Sequence, residues 1–191
     1  VRVRFAPSPT GFLHVGGLRT ALYNYLFFFF YNGKIILRIE DTDRTRLVEN
    51  AVENLIENMR WAGIEYDESV EKGGDYGPYV QSERLDIYKK YSDKLIEAGK
   101  AYYAFDTAEE IDEMRKKQQE QKLTPKYDRK NMKNSLTLGE EEVQRLIEAG
   151  ETFVVRMKVE DDKEIKFSDM IRGDITVMGK DIDDQVLMKS D

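Results

Sequence analysis

The chain has 191 residues, with 30 Lys+Arg against 37 Asp+Glu and a formal net charge of −7. It carries no Cys and one His, which excludes a disulfide framework, a thiolate metal site and a multi-histidine metal centre. With 13 Gly and 4 Pro it is neither collagen-like nor a low-complexity linker. The longest wholly apolar run, Leu26 to Tyr31, is far too short to span a bilayer, and no basic region followed by an apolar one opens the chain. The expectation is a soluble, cytoplasmic, acidic globular protein with no membrane partner. An acidic average argues against indiscriminate nucleic-acid binding, although averages hide patches.

Val1 to Phe5 alternates apolar and basic residues and predicts a strand. Ala6 to Gly11 is a turn. A helix follows from Gly16, with Leu18, Leu22, Leu26 and Phe29 at helical spacing, and stops at Asn32-Gly33. Lys34 to Ile39 predicts a second strand covered on both faces. Strand, helix and strand make a βαβ unit and favour a parallel sheet. The next helix is expected over Leu47 to Ala62, with Val48, Val52, Leu55, Ile56 and Met59 on one face. A Gly-rich acidic loop runs from Glu68 to Pro78. Another amphipathic helix is expected over Gln81 to Ala98, with Leu85, Tyr88, Tyr91, Leu95 and Ile96 as its stripe.

Ala101 to Phe105 is strand-like. Thr107 with Glu110, and Thr137 with Glu140, are capping-box patterns opening helices to Lys122 and Gly150. Strands are then expected at Thr152 to Val159, Ile165 to Phe167, Ile175 to Met178 and Gln185 to Met188. Residues 1–75 therefore read as the start of an α/β sheet domain and 76–191 as an α+β module. A parallel sheet normally needs four or more strands, and only two strong candidates precede the boundary. The run Phe27 to Phe30 covers all sides of a helix turn, and a buried helix is the simplest account of it.

The densest chemistry is the stretch from Arg4 to Gly17, R-F-A-P-S-P-T-G followed by H-V-G-G. A strand feeds a turn stiffened by Pro7 and Pro9, and His14 with Gly16 and Gly17 stands where a helix begins. A helix N-terminus offers unpaired N–H groups and a positive dipole end to a phosphate. Glycines let a flat ring or phosphate approach the backbone, and His14 is placed to donate to a phosphoryl oxygen as charge builds on it. Without context, a lone His before a helix is more often a capping or surface residue. Neither standard phosphate loop is present.

The second cluster, R-I-E-D-T-D-R over Arg38 to Arg44, follows the second strand. Carboxyl ends of strands face the crevice in open α/β sheets, so Glu40 is expected near Arg4 and Ser8. A carboxylate can grip an ammonium and an arginine can grip a carboxylate, so the pair has the charges to hold an amino acid. Asp41, Thr42 and Asp43 read equally well as an acidic helix cap.

The first cluster resembles the HIGH signature of class I aminoacyl-tRNA synthetases, and in detail the glutamyl-tRNA synthetase branch. R-I-E-D-T-D-R, W-A-G-I-E-Y-D-E, D-Y-G-P-Y-V-Q-S-E-R and D-I-D-D-Q-V-L-M-K-S-D resemble that branch's further blocks, in order, along essentially the whole chain. The resemblance implies the first part of a Rossmann-like nucleotide-binding domain with an inserted α+β acceptor-stem-binding domain. It implies activation of glutamate by ATP with Mg²⁺ and transfer to the 3′ end of tRNA(Glu). Thr10, His14, Gly16 and Gly17 would serve ATP, the last three also the adenylation transition state. Arg4, Ala6, Ser8 and Glu40 match glutamate-binding positions, with Glu40 on the α-ammonium and Arg4 on a carboxylate.

The segment Asp112 to Lys133 carries eight basic and four acidic residues, a basic island that could meet acceptor-stem phosphates or simply form a solvated helix face. Arg44 and Arg46 are weaker candidates for tRNA contact. Some relatives carry a zinc site beginning C-x-C in the aromatic strand. Here those positions are Ala104 and Asp106, so no zinc is expected. The family pattern continues past Asp191 with the second half of the nucleotide fold, so the expectation is a fragment without independent charging activity and with an exposed sheet edge. A shortened paralogue acting on tRNA(Asp), or a non-catalytic acceptor-stem-binding module, are the competing readings. A glutaminyl enzyme is disfavoured by E-D-T-D.

Overall fold

The alternation of Val and Arg at the start of the chain folds into strand β1 (Arg2–Phe5). The computed structural model describes residues 1–189, so Ser190 and Asp191 of the closing motif lie outside the described residues. Two compact units divide the chain, Val1–Asp86 and Ile87–Asp191.

In the first unit, helix α1 (Val15–Phe30) links β1 to strand β2 (Lys34–Leu37). The strands pair in parallel, Val3 opposite Ile35 and Phe5 opposite Leu37, which is the expected βαβ unit. The stop after α1 is chemical. Asn32 takes a left-handed φ of 47°, and the Gly33 N–H returns to the Phe28 carbonyl at 2.8 Å. A Cβ on Gly33 would lie 2.3 Å from the Val1 carbonyl oxygen, so glycine is what lets β2 start beside β1.

Strand alternation gives the sheet two faces. Phe5, Ile35, Leu37 and Ile39 join Ala21 of α1 and Leu55 and Met59 of helix α2 (Ala51–Trp61) in one core. α2 starts later than expected. Arg44–Arg46 make a 3-10 turn, Val48 N–H donates to Pro9 O at 3.0 Å, and Asn50 sits at φ 60°. These contacts hold residues 44–50 against the preceding turn, so Val48 is exposed, while Val52, Leu55, Ile56 and Met59 pack as expected.

The outer edge of β2 is partly covered. Ile36 bridges Glu68 and Ile39 bridges Val80, both in parallel. Leu37 N–H reaches Glu68 O, and Ile39 N–H reaches Tyr79 O, each at 2.9 Å. The buried Glu68 carboxylate accepts from the Tyr79 hydroxyl at 2.5 Å. Ser82 donates through N–H and Oγ to Asp41, at 2.9 and 2.6 Å. These bonds fasten residues 76–84 to the first unit, which is why the units divide at 86/87, beyond the 75/76 boundary expected from composition.

The phenylalanine run departs from expectation. Phe28 packs on the core, but Phe29 is 70% and Phe30 81% exposed, and the only fully buried residue of α1 is Ala21. A helix lying on one face of a two-stranded sheet can bury one stripe; Phe27, Phe29 and Phe30 meet only tyrosine rings of their own segment, Tyr31 and Tyr25, in the ring contacts of the described residues.

In the second unit, helix α3 (Leu85–Glu97, whose first two residues belong to the first unit) leads into strand β3 (Ala101–Ala104). A 3-10 turn over Gln81–Arg84 precedes α3, so the expected helix begins late. Of its expected stripe, Leu85, Tyr91 and Leu95 are exposed. Helix α4 (Ala108–Glu120) has the full capping box: the Thr107 hydroxyl accepts from Glu110 N–H at 3.2 Å and Glu110 accepts from Thr107 N–H at 2.8 Å. Helix α5 (Glu140–Glu148) has Gly139 at its N-cap instead of Thr137. The Thr137 hydroxyl is engaged elsewhere, donating to Met132 O at 2.8 Å and accepting from the N–H of the buried Asn134.

Strands β4 (Val154–Met157) and β7 (Val186–Met188) extend β3 into an antiparallel sheet in the order β3-β4-β7. Strands β5 (Glu164–Asp169) and β6 (Gly173–Met178) form a separate hairpin. The centre of the unit is polar. Asp184, 4% exposed, accepts from Tyr102 OH at 2.7 Å, Val159 N–H at 3.0 Å and Arg129 at 3.1 Å. The Arg156 guanidinium lies 3.9 Å over the Tyr127 ring.

Burial shifts several phenols upward. Burial, helped by the bond to Glu71, pushes Tyr66 up to about 12. Burial with Asp184 raises Tyr102, and burial with Asp106 raises Tyr127. A raised folded-state value means the folded form keeps its proton after the unfolded form has lost it. The associated stability is therefore complete below pH 10.0, the unperturbed value, and is lost as pH rises through the folded values. An absorbance titration is expected to show four late-ionising phenols among the 11 tyrosines, Tyr79 beside Glu68 being the fourth, released together with unfolding. Ionisation of every tyrosine near pH 10, with the fold intact, would contradict these environments.

Candidate active site

His14 is the N-cap of α1. Its backbone is extended, and its Nδ1 accepts the Gly16 N–H at 3.1 Å. Leu13 N–H donates to Asn54 Oδ1 at 3.1 Å, pinning the turn to α2. A Cβ on Gly16 would stand 2.8 Å from His14 Cε1 and 3.0 Å from Nδ1, so glycine leaves the imidazole room to cap. At Gly17 a Cβ would meet only the flexible tip of Leu13. The capping reading of His14 is therefore correct, and it does not exhaust the ring. With Nδ1 accepting, a neutral imidazole carries its proton on Nε2 and keeps one donor free.

Beside this helix start lies a cavity of about 440 Å³. Ser8, Thr10, His14 and Gly17 line it, together with Phe12 and Thr20. The turn, the helix N-terminus and α2 thus bring four of the expected site residues to one space.

Arg4 faces a different cavity of about 310 Å³, lined by Arg2, Arg4, Arg38, Tyr76, Tyr79 and Arg84 among others. Strand alternation puts Arg2 and Arg4 on one side of β1. The Arg2 guanidinium sits 3.5 Å over the Tyr76 ring, and Arg84 donates to Pro78 O at 2.6 Å. Four guanidiniums at one cavity make a field for an anion. Glu40 lines neither cavity but joins the second through Arg38, whose terminal nitrogen donates to its carboxylate at 2.5 Å. Ala6 and Gly16 line neither.

The acidic stretch after Glu40 does not cap a helix with its side chains. Asp41 accepts from Ser82, and Thr42 donates to Gln81 at 3.2 Å. Asp43 precedes the 3-10 turn without a side-chain cap bond and accepts from Arg46. Arg44 and Arg46 are exposed on that turn.

Sequence reasoning passed over Arg2, Tyr76, Tyr79 and Arg84. The alternation in β1 was signal enough for Arg2. The other three come from a loop whose path follows from its bonds to β2, which no local pattern announces.

In the second unit, part of the basic segment is spent internally. Arg129 pairs with Asp161 at 2.6 Å and with Asp184, and Lys126 Nζ donates to Lys180 O at 2.5 Å. Arg115, Lys116, Lys117, Lys122, Lys130 and Lys133 remain exposed. Ala104 is buried in β3, and Asp106 accepts from the Tyr127 hydroxyl and from Lys133 N–H at 2.6 Å. No helix of the described residues is long and apolar enough to cross a membrane.

Residues 1–191 match the family model for the catalytic domain of class I tRNA synthetases (E and Q). The glutamate–tRNA ligase of Chloroherpeton thalassium is 54% identical over all of this chain and 38% of its own length. That of Chlorobium phaeovibrioides is 56% identical over all of this chain and 37% of its own length. The chain therefore spans well under half the length of these curated relatives. Among solved structures, a glutamate tRNA ligase from Elizabethkingia meningosepticum in complex with its amino acid superposes with a TM-score of 0.91 at 47% identity, covering 100% of this chain and 38% of that one. The glutamate-tRNA synthetase of Elizabethkingia anophelis gives 0.92 at 47% identity, over 100% and 39%. The parallel βαβ unit with its histidine-capped helix is the Rossmann-like α/β fold of this group, and the chain belongs to the class I tRNA synthetase (E and Q) catalytic-domain family.

Proposed function

We propose that this chain serves glutamate–tRNA ligation. Glutamate is activated by ATP to glutamyl-adenylate and then transferred to the 3′ end of tRNA(Glu). The observation that carries this reading is the cavity at the start of α1, where Ser8, Thr10, His14 and Gly17 meet a helix N-terminus. In activation, a glutamate α-carboxylate oxygen attacks the α-phosphorus and pyrophosphate leaves. Charge builds on the phosphoryl oxygens, and a fixed donor aimed at that charge lowers the barrier. His14 Nε2 is such a donor, held in orientation by its own cap bond.

Thr10, Gly16 and Gly17 border the nucleotide in this reading. Ala6 and Ser8 lie along the amino acid. Glu40 holds the α-ammonium, and Arg4, in its arginine-lined cavity, holds a carboxylate. Mg²⁺ arrives on the ATP phosphates; among the described residues no group of three or more His, Asp or Glu is arranged to hold an ion. The first unit then belongs to the nucleotide-binding domain. The second is the inserted module that meets the tRNA acceptor stem, with the exposed lysines of residues 112–133 facing phosphates; Arg44 and Arg46, on the first unit, are weaker candidates for tRNA contact. Such chemistry belongs in the cytoplasm.

The test is calorimetric binding of a non-hydrolysable glutamyl-adenylate analogue to the intact gene product, with the glutaminyl analogue as control. Tight binding of the glutamyl compound alone is expected. Equal binding of both, or of neither, would refute the assignment.

A further inference from the structure

Glu40 does not stand by itself. Arg38 lies two residues before it and so points to the same side of the extended chain. One terminal nitrogen of Arg38 donates to Glu40 Oε1 at 2.5 Å. Both side chains are largely withdrawn from solvent, 14% exposed for Arg38 and 29% for Glu40. Their backbones are fastened as well. Arg38 N–H donates to Phe5 O and Glu40 N–H to Pro7 O, each at 3.0 Å. The pair is thus bolted to the end of β1, where Arg4 and Ser8 lie. Arg38 Nε is buried and has no hydrogen-bond partner among the described residues, so the guanidinium grips the carboxylate with one nitrogen and leaves Oε2 free of it.

A glutamate side chain that must receive an ammonium otherwise loses three rotatable bonds when the ligand arrives. A partner that holds one oxygen beforehand removes that cost from binding and fixes where the other oxygen points. We propose that Arg38 is a positioning residue: by clamping Glu40 Oε1 it presents Oε2 to the α-ammonium of the amino acid. This rests on the role given to Glu40 above. Arg38 acts through Glu40, but it also lines the arginine cavity, so its effect is expected to be much larger on ligands that carry the ammonium than on ligands with carboxylates alone.

The experiment uses the intact gene product in glutamate-dependent ATP–pyrophosphate exchange, with glutarate as a competitor that has both carboxylates and no ammonium. Arg38→Met is expected to raise the glutamate KM about tenfold, more than it lowers kcat, and to weaken glutarate inhibition far less than it weakens glutamate. Glu40→Gln is expected to raise KM at least as much, and the double variant no further than Glu40→Gln alone. Arg38→Lys is expected to recover part of the loss; it also carries the comparison if Arg38→Met fails to fold by circular dichroism. An unchanged KM in Arg38→Met, additive effects in the double variant, or glutarate weakened in step with glutamate would each overturn the proposal. If glutarate proves too weak to measure, the double-variant comparison decides. Absence of glutamate-dependent exchange in the wild type, or a silent Glu40→Gln, would instead refute the functional reading on which it rests.

Discussion

Asp184→Ala is expected to destabilise the second unit by about 3–5 kcal/mol, the usual cost of breaking a buried charge cluster by removing one partner. The carboxylate is 4% exposed and serves three donors on three segments: Tyr102 of β3, Arg129, and Val159 beyond β4. Deleting it strands a buried hydroxyl and a buried N–H, and leaves Arg129 with Asp161 as its carboxylate partner. Since a whole domain is stable by only about 5–15 kcal/mol, the loss is a large fraction. Asp184→Asn keeps an acceptor for Val159 but no charge for Arg129, and an intermediate loss is expected. Amide hydrogen exchange at residues 101–104 and 154–159 reads the effect, and the fluorescence of Trp61, the sole tryptophan, serves as a reference in the first unit. Unaltered protection in Asp184→Ala would show that the cluster is not what holds these strands.

The second large effect is catalytic. His14→Ala removes both the cap and the Nε2 donor, while His14→Asn keeps a side chain able to cap. Both are expected to slow adenylate formation by about 10²–10³-fold, the range for loss of one donor to developing charge. Only His14→Ala is expected to lose about 1 kcal/mol of stability as well. Rates from pyrophosphate exchange in the intact gene product, set beside thermal melts, separate the two contributions. If Asn restores the rate, the histidine is a cap and nothing more.

The first βαβ unit was readable because its signals are local. Val-Arg alternation, an Asn-Gly stop and an apolar run fix β1, α1 and β2, and the parallel pairing follows from the crossover. The errors came where a competing hydrogen bond claims a group that the local pattern assigns elsewhere. Leu47 to Asn50 looks helical, but a bond from Val48 to Pro9 holds it open. Thr137 looks like a cap, but the buried Asn134 claims its hydroxyl. In the candidate site, His14 and the glycines share one turn and could be found by inspection. The arginine cavity is assembled from β1, β2 and the loop at 76–84, so only the tertiary path brings its members together.

The full enclosure of one alanine in α1 turns the usual expectation of mutational tolerance around. Ala21 is wholly enclosed, whereas Phe29 and Phe30 lie largely open. Along this helix the bulky Phe29 and Phe30 are replaceable, while Ala21, with only a methyl group for a side chain, is constrained. Even one added methylene at position 21 must lift the helix from the strands, and with it the imidazole at its head. A survey of variants along α1 would therefore find its functional minimum two turns away from the histidine, at a residue that carries no chemistry of its own.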